Sequence, residues 1–213
     1  MEKPEGQSKK IELIVFTKGK SFIFVPELVK DLADHGCEIV DSEFMFLSEN
    51  DVKAHYAHVA EKSWFPQTLK FYAKHPVFIL KVSGTVESVK AVVGQETDPH
   101  ACELFSFRAQ HGTDLTDNAC HRSGDEDDAA KEVERFFGDE GIVTKFRKDP
   151  EARLEFYNKM VAYAQNVAWI LAAWCLLFWG TCSPFYFTYF FVILSWYYIK
   201  TIYDGLVFVN IYY

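Results

Sequence analysis

The alternation of apolar and polar positions divides residues 11–138 into a series of short elements. Ile11–Phe16 is a short apolar run, compatible with a buried strand. Phe22–Asp34 has helical period, with Phe24, Leu28, Val29 and Leu32 on one face, and Gly36 supplies a C-terminal stop. Cys37–Leu47 alternates as a strand. Ser48-Glu-Asn-Asp51 is a capping signature that opens a helix running to about Ala60. Trp64–Tyr72 reads as a further short helix, and Pro76–Val82 is the clearest strand. Thr85–Val93 is helical, and a long polar segment, 94–117, follows. Cys120–His121 falls on a last strand, and Asp125–Phe137 on a last helix that the S-x-x-E box Ser123 to Glu126 should start. The order β-α-β-α-α-β-α-β-α interleaves strands and helices. Its strand spacing is too irregular for a doubly wound sheet. An α+β domain with a ferredoxin-like antiparallel sheet fits better.

Beyond residue 160 the pattern changes. Only Lys200 and Asp204 are charged after Val161, so residues 1–160 hold 21 of the 22 basic and 29 of the 30 acidic residues. Val161–Thr181 is free of charge over 21 residues, enough to cross ~30 Å of hydrocarbon at ~1.5 Å per residue. Cys182-Ser183-Pro184 interrupts the run. Phe185–Ile199 follows, with nine aromatic residues in 15, and is short for a span unless 201–203 extend it. Two expectations stay open: a helical hairpin, or a single transmembrane helix with an interfacial aromatic segment. Lys145, Arg147, Lys148, Arg153 and Lys159 precede the run and Lys200 follows it, an expectation that residues 1–160 face the cytosol. The expected organisation is a disordered N-terminus over 1–10, a domain over 11–138, a linker over 139–160, the membrane segment over 161–203 and a tail over 204–213.

Charge and cysteine usage remove several classes. A net charge of −8 argues against a generic nucleic-acid binder. Five cysteines without a C-x-x-C pair give neither a zinc ribbon nor a disulfide framework. The polar N-terminus lacks the apolar core of a signal peptide. No Gly-rich phosphate loop and no H-E-x-x-H occurs. His55 and His58 are three apart on what reads as a surface helix, with no third metal ligand nearby in sequence.

The chemistry concentrates in 118–137. Asn118, His121 and Ser123 precede an acidic amphipathic helix that carries Glu132. An imidazole held rigidly at the edge of a cleft can act as a nucleophile and carry a covalent group. A helix N-terminus beside it favours anions. The reading is a histidine that meets phosphate.

With these residues in place, the chain resembles the nucleoside diphosphate kinase family over roughly Ile11 to Gly138. The family's Asn-x-x-His-Gly-Ser-Asp stands here as Asn118-Ala-Cys-His121-Arg-Ser123-Gly, with Glu132 at the family's spacing. Arg108 stands ten residues before Asn118, where the family keeps a phosphate-binding Arg. Glu96-Thr97-Asp98-Pro99 resembles its phosphate-contacting Thr loop. His55-Tyr56 matches its cleft-lining His-Tyr, and Trp64-Phe65 its aromatic pair. The resemblance implies a ping-pong phosphotransferase acting on nucleoside triphosphates and diphosphates. In it His121 is the nucleophile, oriented by Glu132 directly or through Ser123. Arg108, Thr97 and a nucleotide-borne Mg²⁺ clamp the phosphates, Asn118 and Tyr56 position sugar and phosphate, and Trp64 stacks on the base. It also implies a homo-oligomer.

Departures from the pattern bear on rate. The family's first strand ends in Lys-Pro-Asp. Aligned without gaps back from Gly36, Phe16-Thr17-Lys18 stands there, so the phosphate-binding Lys is displaced to Lys18 or Lys20, or lost. Lys90 or Val92 stands where the family has a second Arg, and Arg122 replaces the Gly after the histidine. Weak activity is the expectation. The alternative is a catalytically degenerate, membrane-anchored binding or scaffold module.

Overall fold

The structure, a computed structural model, describes residues 9–178, with side chains described within 9–166. The chain divides into two units between Asp149 and Pro150. In the first, four strands form one antiparallel sheet in the order β2-β3-β1-β4. They are β1 (Ile11–Thr17), β2 (Glu38–Met45), β3 (Val77–Gly84) and β4 (Cys120–Arg122). This is the ferredoxin-like arrangement expected from the element order.

β1 is apolar throughout its second half because it is covered on both faces. Leu13 and Val15 pack to one side with α1 (Val25–Asp34) and α4 (Val86–Val93). Ile14 and Phe16 pack to the other, among residues of α2 (Glu49–His55), α3 (Phe65–Lys74) and α6 (Glu126–Phe137). All four side chains are fully buried. A central strand buried on both faces reads as a run rather than an alternation. A five-residue helix, α5 (Phe107–His111), lies between α4 and β4. A 3-10 turn, Gly19–Phe24, takes the first positions of the helix expected from Phe22.

One expectation is corrected. Ser123 does not cap α6: Asp125 does, its Oδ1 accepting from Asp128 N–H at 2.8 Å. Ser123 lies buried against β1 instead, donating from its backbone N–H to Ile14 O at 3.0 Å. The segment expected as a linker over 139–160 is helical. Within the first unit it forms α7 (Ile142–Lys148), which buries Val143 in the core with Phe136. Arg147 of α7 reaches Asp41, Glu43 and the Ser42 carbonyl of β2 at 2.7–2.8 Å.

The second unit is described through one long helix, α8 (Pro150–Phe178). Among the described residues no helix is long and apolar enough to cross a membrane. The expected turn at Ser183-Pro184, the segment 185–203, the tail 204–213 and most of the N-terminal 1–10 lie outside the described residues.

Candidate active site

Register places the histidine. β4 pairs with β1 so that His121 faces Phe16 across the ladder. Cross-strand partners share a face, so His121 points into the α2/α3/α6 side. There its ring stacks on Phe16 with centroids 4.5 Å apart and planes 19° apart. Glu132 comes from α6, whose buried positions Ala129, Glu132 and Phe136 follow helical spacing. The carboxylate therefore lies on the apolar stripe of its helix.

The buried charge is matched on both oxygens. His121 Nε2 lies 3.0 Å from Glu132 Oε1, and Ser123 Oγ donates to Oε2 at 2.6 Å. Ser123 Oγ also accepts the Ile14 N–H at 3.0 Å. Burial alone would raise the Glu132 carboxyl, but the imidazole and the Ser123 hydroxyl hold it ionised. Burial pushes His121 below its ordinary value, so the ring is neutral at pH 7. A neutral ring that donates from Nε2 keeps its lone pair on Nδ1. Among the described residues Nδ1 has no hydrogen-bond partner.

His55 corrects the surface reading of its helix. It shares a buried face with Val52 and is itself buried. Its ring meets His121 edge-on at 4.5 Å between centroids. Its Nε2 lies 3.8 Å from Glu132 Oε1, and Arg135 donates to its Nδ1 at 3.3 Å. Ligand atoms of His55, His121 and Glu132 all fall within 4.8 Å, spacing that could hold a metal ion. Two imidazoles and one buried carboxylate suit Mg²⁺ poorly, since that ion demands oxygen donors and retained water. The Arg135 guanidinium beside His55 opposes any cation. The sequence signal that could have found His55 is its i, i+3 relation to Val52.

Lys18 resolves the displaced ammonium. It is only 7% exposed, with Nζ 5.8 Å and 5.9 Å from the ring centroids of Tyr56 and Tyr72. The two tyrosine hydroxyls bond at 2.8 Å. Burial first, and the Arg108 guanidinium second, lower the ammonium to about 8. Lys20 is exposed. Phe16 is not a vacated lysine site; it is the fully buried floor beneath His121.

The remaining candidates line the approach to β4. Ala119 holds φ +63°, a left-handed conformation that costs an L residue energy, and is fully buried. Its carbonyl accepts the Lys18 N–H at 2.7 Å and the Ser21 hydroxyl. Asn118 donates to Thr97 O at 3.0 Å, and its buried Oδ1 has no partner. Arg108 is buried and donates to Cys120 O and Glu96 O at 3.0 and 2.5 Å. Thr97 is exposed, and Trp64, just before α3, is 45% exposed. Val92 is buried in the α1/α4 core, which leaves Lys90 as the basic residue of α4's last turn.

The nucleoside diphosphate kinase family model matches residues 22–142, more than half of the chain. The chain belongs to the nucleoside diphosphate kinase family. It is 31% identical over 123 residues to the nucleoside diphosphate kinase of Halorubrum lacusprofundi, covering 56% of this chain and 77% of the relative. It is 26% identical over 160 residues to that of Pyrococcus abyssi, covering 72% and 98%. A solved nucleoside diphosphate kinase from Halobacterium salinarum in complex with CDP aligns with a TM-score of 0.56 at 26% identity, covering 60% and 88%. That of Encephalitozoon cuniculi, at 19% identity and TM-score 0.55, agrees in fold and covers 60% and 89%. The family match begins after Lys18, so the segment that departs from Lys-Pro-Asp is the one left outside it.

Proposed function

We propose that the chain transfers the γ-phosphate of a nucleoside triphosphate to a nucleoside diphosphate through a phosphohistidine on His121 Nδ1. One observation carries this reading. Nε2 is engaged by an ionised Glu132, which is itself fixed by Ser123, and Nδ1 is left with a free lone pair. Glu132 holds the tautomer and stabilises the positive charge that grows on the ring as Nδ1 attacks. Ser123 and Phe16 hold the carboxylate and the ring in place. Lys18 and Arg108 supply the cations that phosphoryl transfer requires along its path. Asn118 Oδ1, buried and unpartnered, is aimed to accept from a sugar hydroxyl. Tyr56 positions the phosphate end, and Trp64 offers an exposed ring to the base, with little base preference because every base has a π-face. Thr97 lies on the loop that meets the phosphates. Mg²⁺ enters with the nucleotide as part of the substrate, and its oxygens come from the phosphates.

Activity below that of the relatives is part of the same reading. Burial lowers Lys18 to about 8, and Val92 and Lys90 stand where a second guanidinium is expected. The charge-free run 161–181 supports tethering to a membrane with residues 1–160 on the cytosolic side. The test is incubation of the full chain with γ-labelled ATP. Acid-labile, base-stable label that moves to a nucleoside diphosphate and is lost in His121→Gln is the expected result. Label retained at full level in that variant would reject His121 as the nucleophile. No label in the wild type would favour a nucleotide-binding scaffold that kept the fold.

A further inference from the structure

Arg122 occupies the position after the nucleophile and points to the opposite face of the sheet from it. Its Nε donates to Gly94 O at 3.2 Å, its Nη2 to Gln95 O at 2.7 Å, and its Nη1 to Ser123 O at 3.1 Å. Arg108 takes the next carbonyl, Glu96 O, and Asn118 the next, Thr97 O. Four consecutive carbonyls of the segment that leaves α4 are thus each held by a side chain. Three side chains do this: Arg108 from α5, Asn118 from the stretch leading to β4, and Arg122 from β4 itself.

The segment has little else to fix it. Gln95, Glu96 and Thr97 are exposed, and the further hydrogen bonds to them among the described residues are weak ones: Gln95 N–H to the exposed Glu103 carboxylate at 3.3 Å and the Cys102 thiol to Glu96 O at 3.1 Å. Gly94 turns the chain at φ +117°, with Cys102 Sγ 2.7 Å from where a Cβ would stand, so the turn accepts no other residue easily. Two of the three anchors, Arg108 and Asn118, are groups assigned above to the nucleotide. Any movement of the segment therefore moves them.

We propose that Arg122 is a positioning residue: its grip on Gly94 and Gln95 fixes the 94–97 segment and so sets nucleotide affinity, leaving the chemistry at His121 unchanged. The proposal rests on the phosphotransfer reading. Each nitrogen of the guanidinium already donates to a carbonyl, so it acts through the segment rather than on the phosphate. A lysine at this position could hold one carbonyl but not the fork.

The experiment compares the wild-type full chain with Arg122→Gly and Arg122→Lys. It measures ADP affinity by calorimetry, the rate of His121 labelling at saturating ATP, and amide exchange. In Arg122→Gly, ADP should bind about tenfold more weakly, the scale of one net hydrogen bond. Exchange over 95–98 should accelerate while that of β1 and β3 stays unchanged. The saturating labelling rate should stay within about twofold. Arg122→Lys should recover part of the affinity. Unchanged ADP affinity would overturn the proposal. So would a fall in the saturating rate at unchanged affinity, which would put Arg122 on the phosphoryl group, or faster exchange through β1 and β3, which would make it a general stabiliser. A wild type that binds no ADP would reject the phosphotransfer reading instead. The exchange comparison would still decide the tether, since unchanged exchange over 95–98 in Arg122→Gly would overturn it.

Discussion

Lys18→Met should make the protein more stable and less active, and the stability gain should vanish at high pH. The ammonium is buried between two tyrosine rings and close enough to Arg108 to be repelled by it, which lowers it from 10.5 to about 8. That gap of about 2.5 units, at about 1.4 kcal/mol each, is roughly 3 kcal/mol of destabilisation while Lys18 is charged. The folded pKa is the lower one, so the unfolded chain binds more protons between pH 8 and 10.5. Wild-type stability therefore gains on the variant across that window. Burial pushes Cys120 up to about 12 and raises Tyr56 and Tyr72 as well, above this window, and these groups are common to both proteins and largely cancel in the difference. Chemical denaturation at pH 7 should place Lys18→Met about 3 kcal/mol above wild type, with the gap closing toward zero by pH 10.5. Phosphohistidine formation in the same variant should fall by roughly 10²–10³-fold, the scale of losing one donor to a transferring phosphoryl group. Equal pH slopes for the two proteins, or a variant less stable at pH 7, would refute the buried-ammonium argument.

Other expectations follow from the same geometry. Glu132→Gln should slow labelling of His121 by about 10²-fold, because an amide cannot stabilise the charge growing on the ring; a rate within twofold of wild type in single-turnover labelling would contradict that. Phe16→Lys should lower the melting temperature without raising turnover, since it buries an unpaired ammonium beneath His121; a gain in labelling would restore the gapless alignment. Ala119→Gly should stabilise by up to about 1.5 kcal/mol, the difference between a left-handed cost of ~1–2 kcal/mol and a glycine entropy cost of ~0.5–1 kcal/mol, and Ala119→Val should destabilise; denaturation midpoints decide both. A C-terminal tag after Tyr213 should be digested by protease added to intact vesicles if 161–203 forms a hairpin, and protected if it forms a single span.

The sheet was legible because β1 and β3 are packed on both faces and carry their apolar residues as runs. The cluster of His121, Glu132 and Ser123 was legible because these residues lie close in sequence, at spacings fixed by one short strand and one helix. Ser123 was misread as a cap because S-x-x-E satisfies a local rule, while the hydroxyl is drawn away by a carboxylate nine positions on and a strand 109 residues back. Helix α7 was missed because its stripe, Ile142, Val143 and Phe146, is short and sits among charges. Lys18 could not be placed by counting from Gly36. Which lysine reaches the tyrosines depends on the path of the turn after β1, which a count along the chain does not give. Arg122 stood out only as a departure from the family's Gly, and its role could not be read, because its partners are carbonyls, which every residue has.

β4 has three residues and bonds to one neighbour, β1, at Val15, Phe16 and Thr17. The proposed nucleophile thus rides on the last and shortest strand of the sheet, at its edge, with Ala119 and Ser123 on either side bonded to Lys18 and Ile14. Such an edge can open locally at a free energy well below that of the whole domain. Catalytic competence and foldedness are therefore separate transitions in this molecule. On warming or mild denaturation, phosphotransfer should fade while the β1–β3 core still gives its native spectrum, and it should return on cooling without any refolding delay.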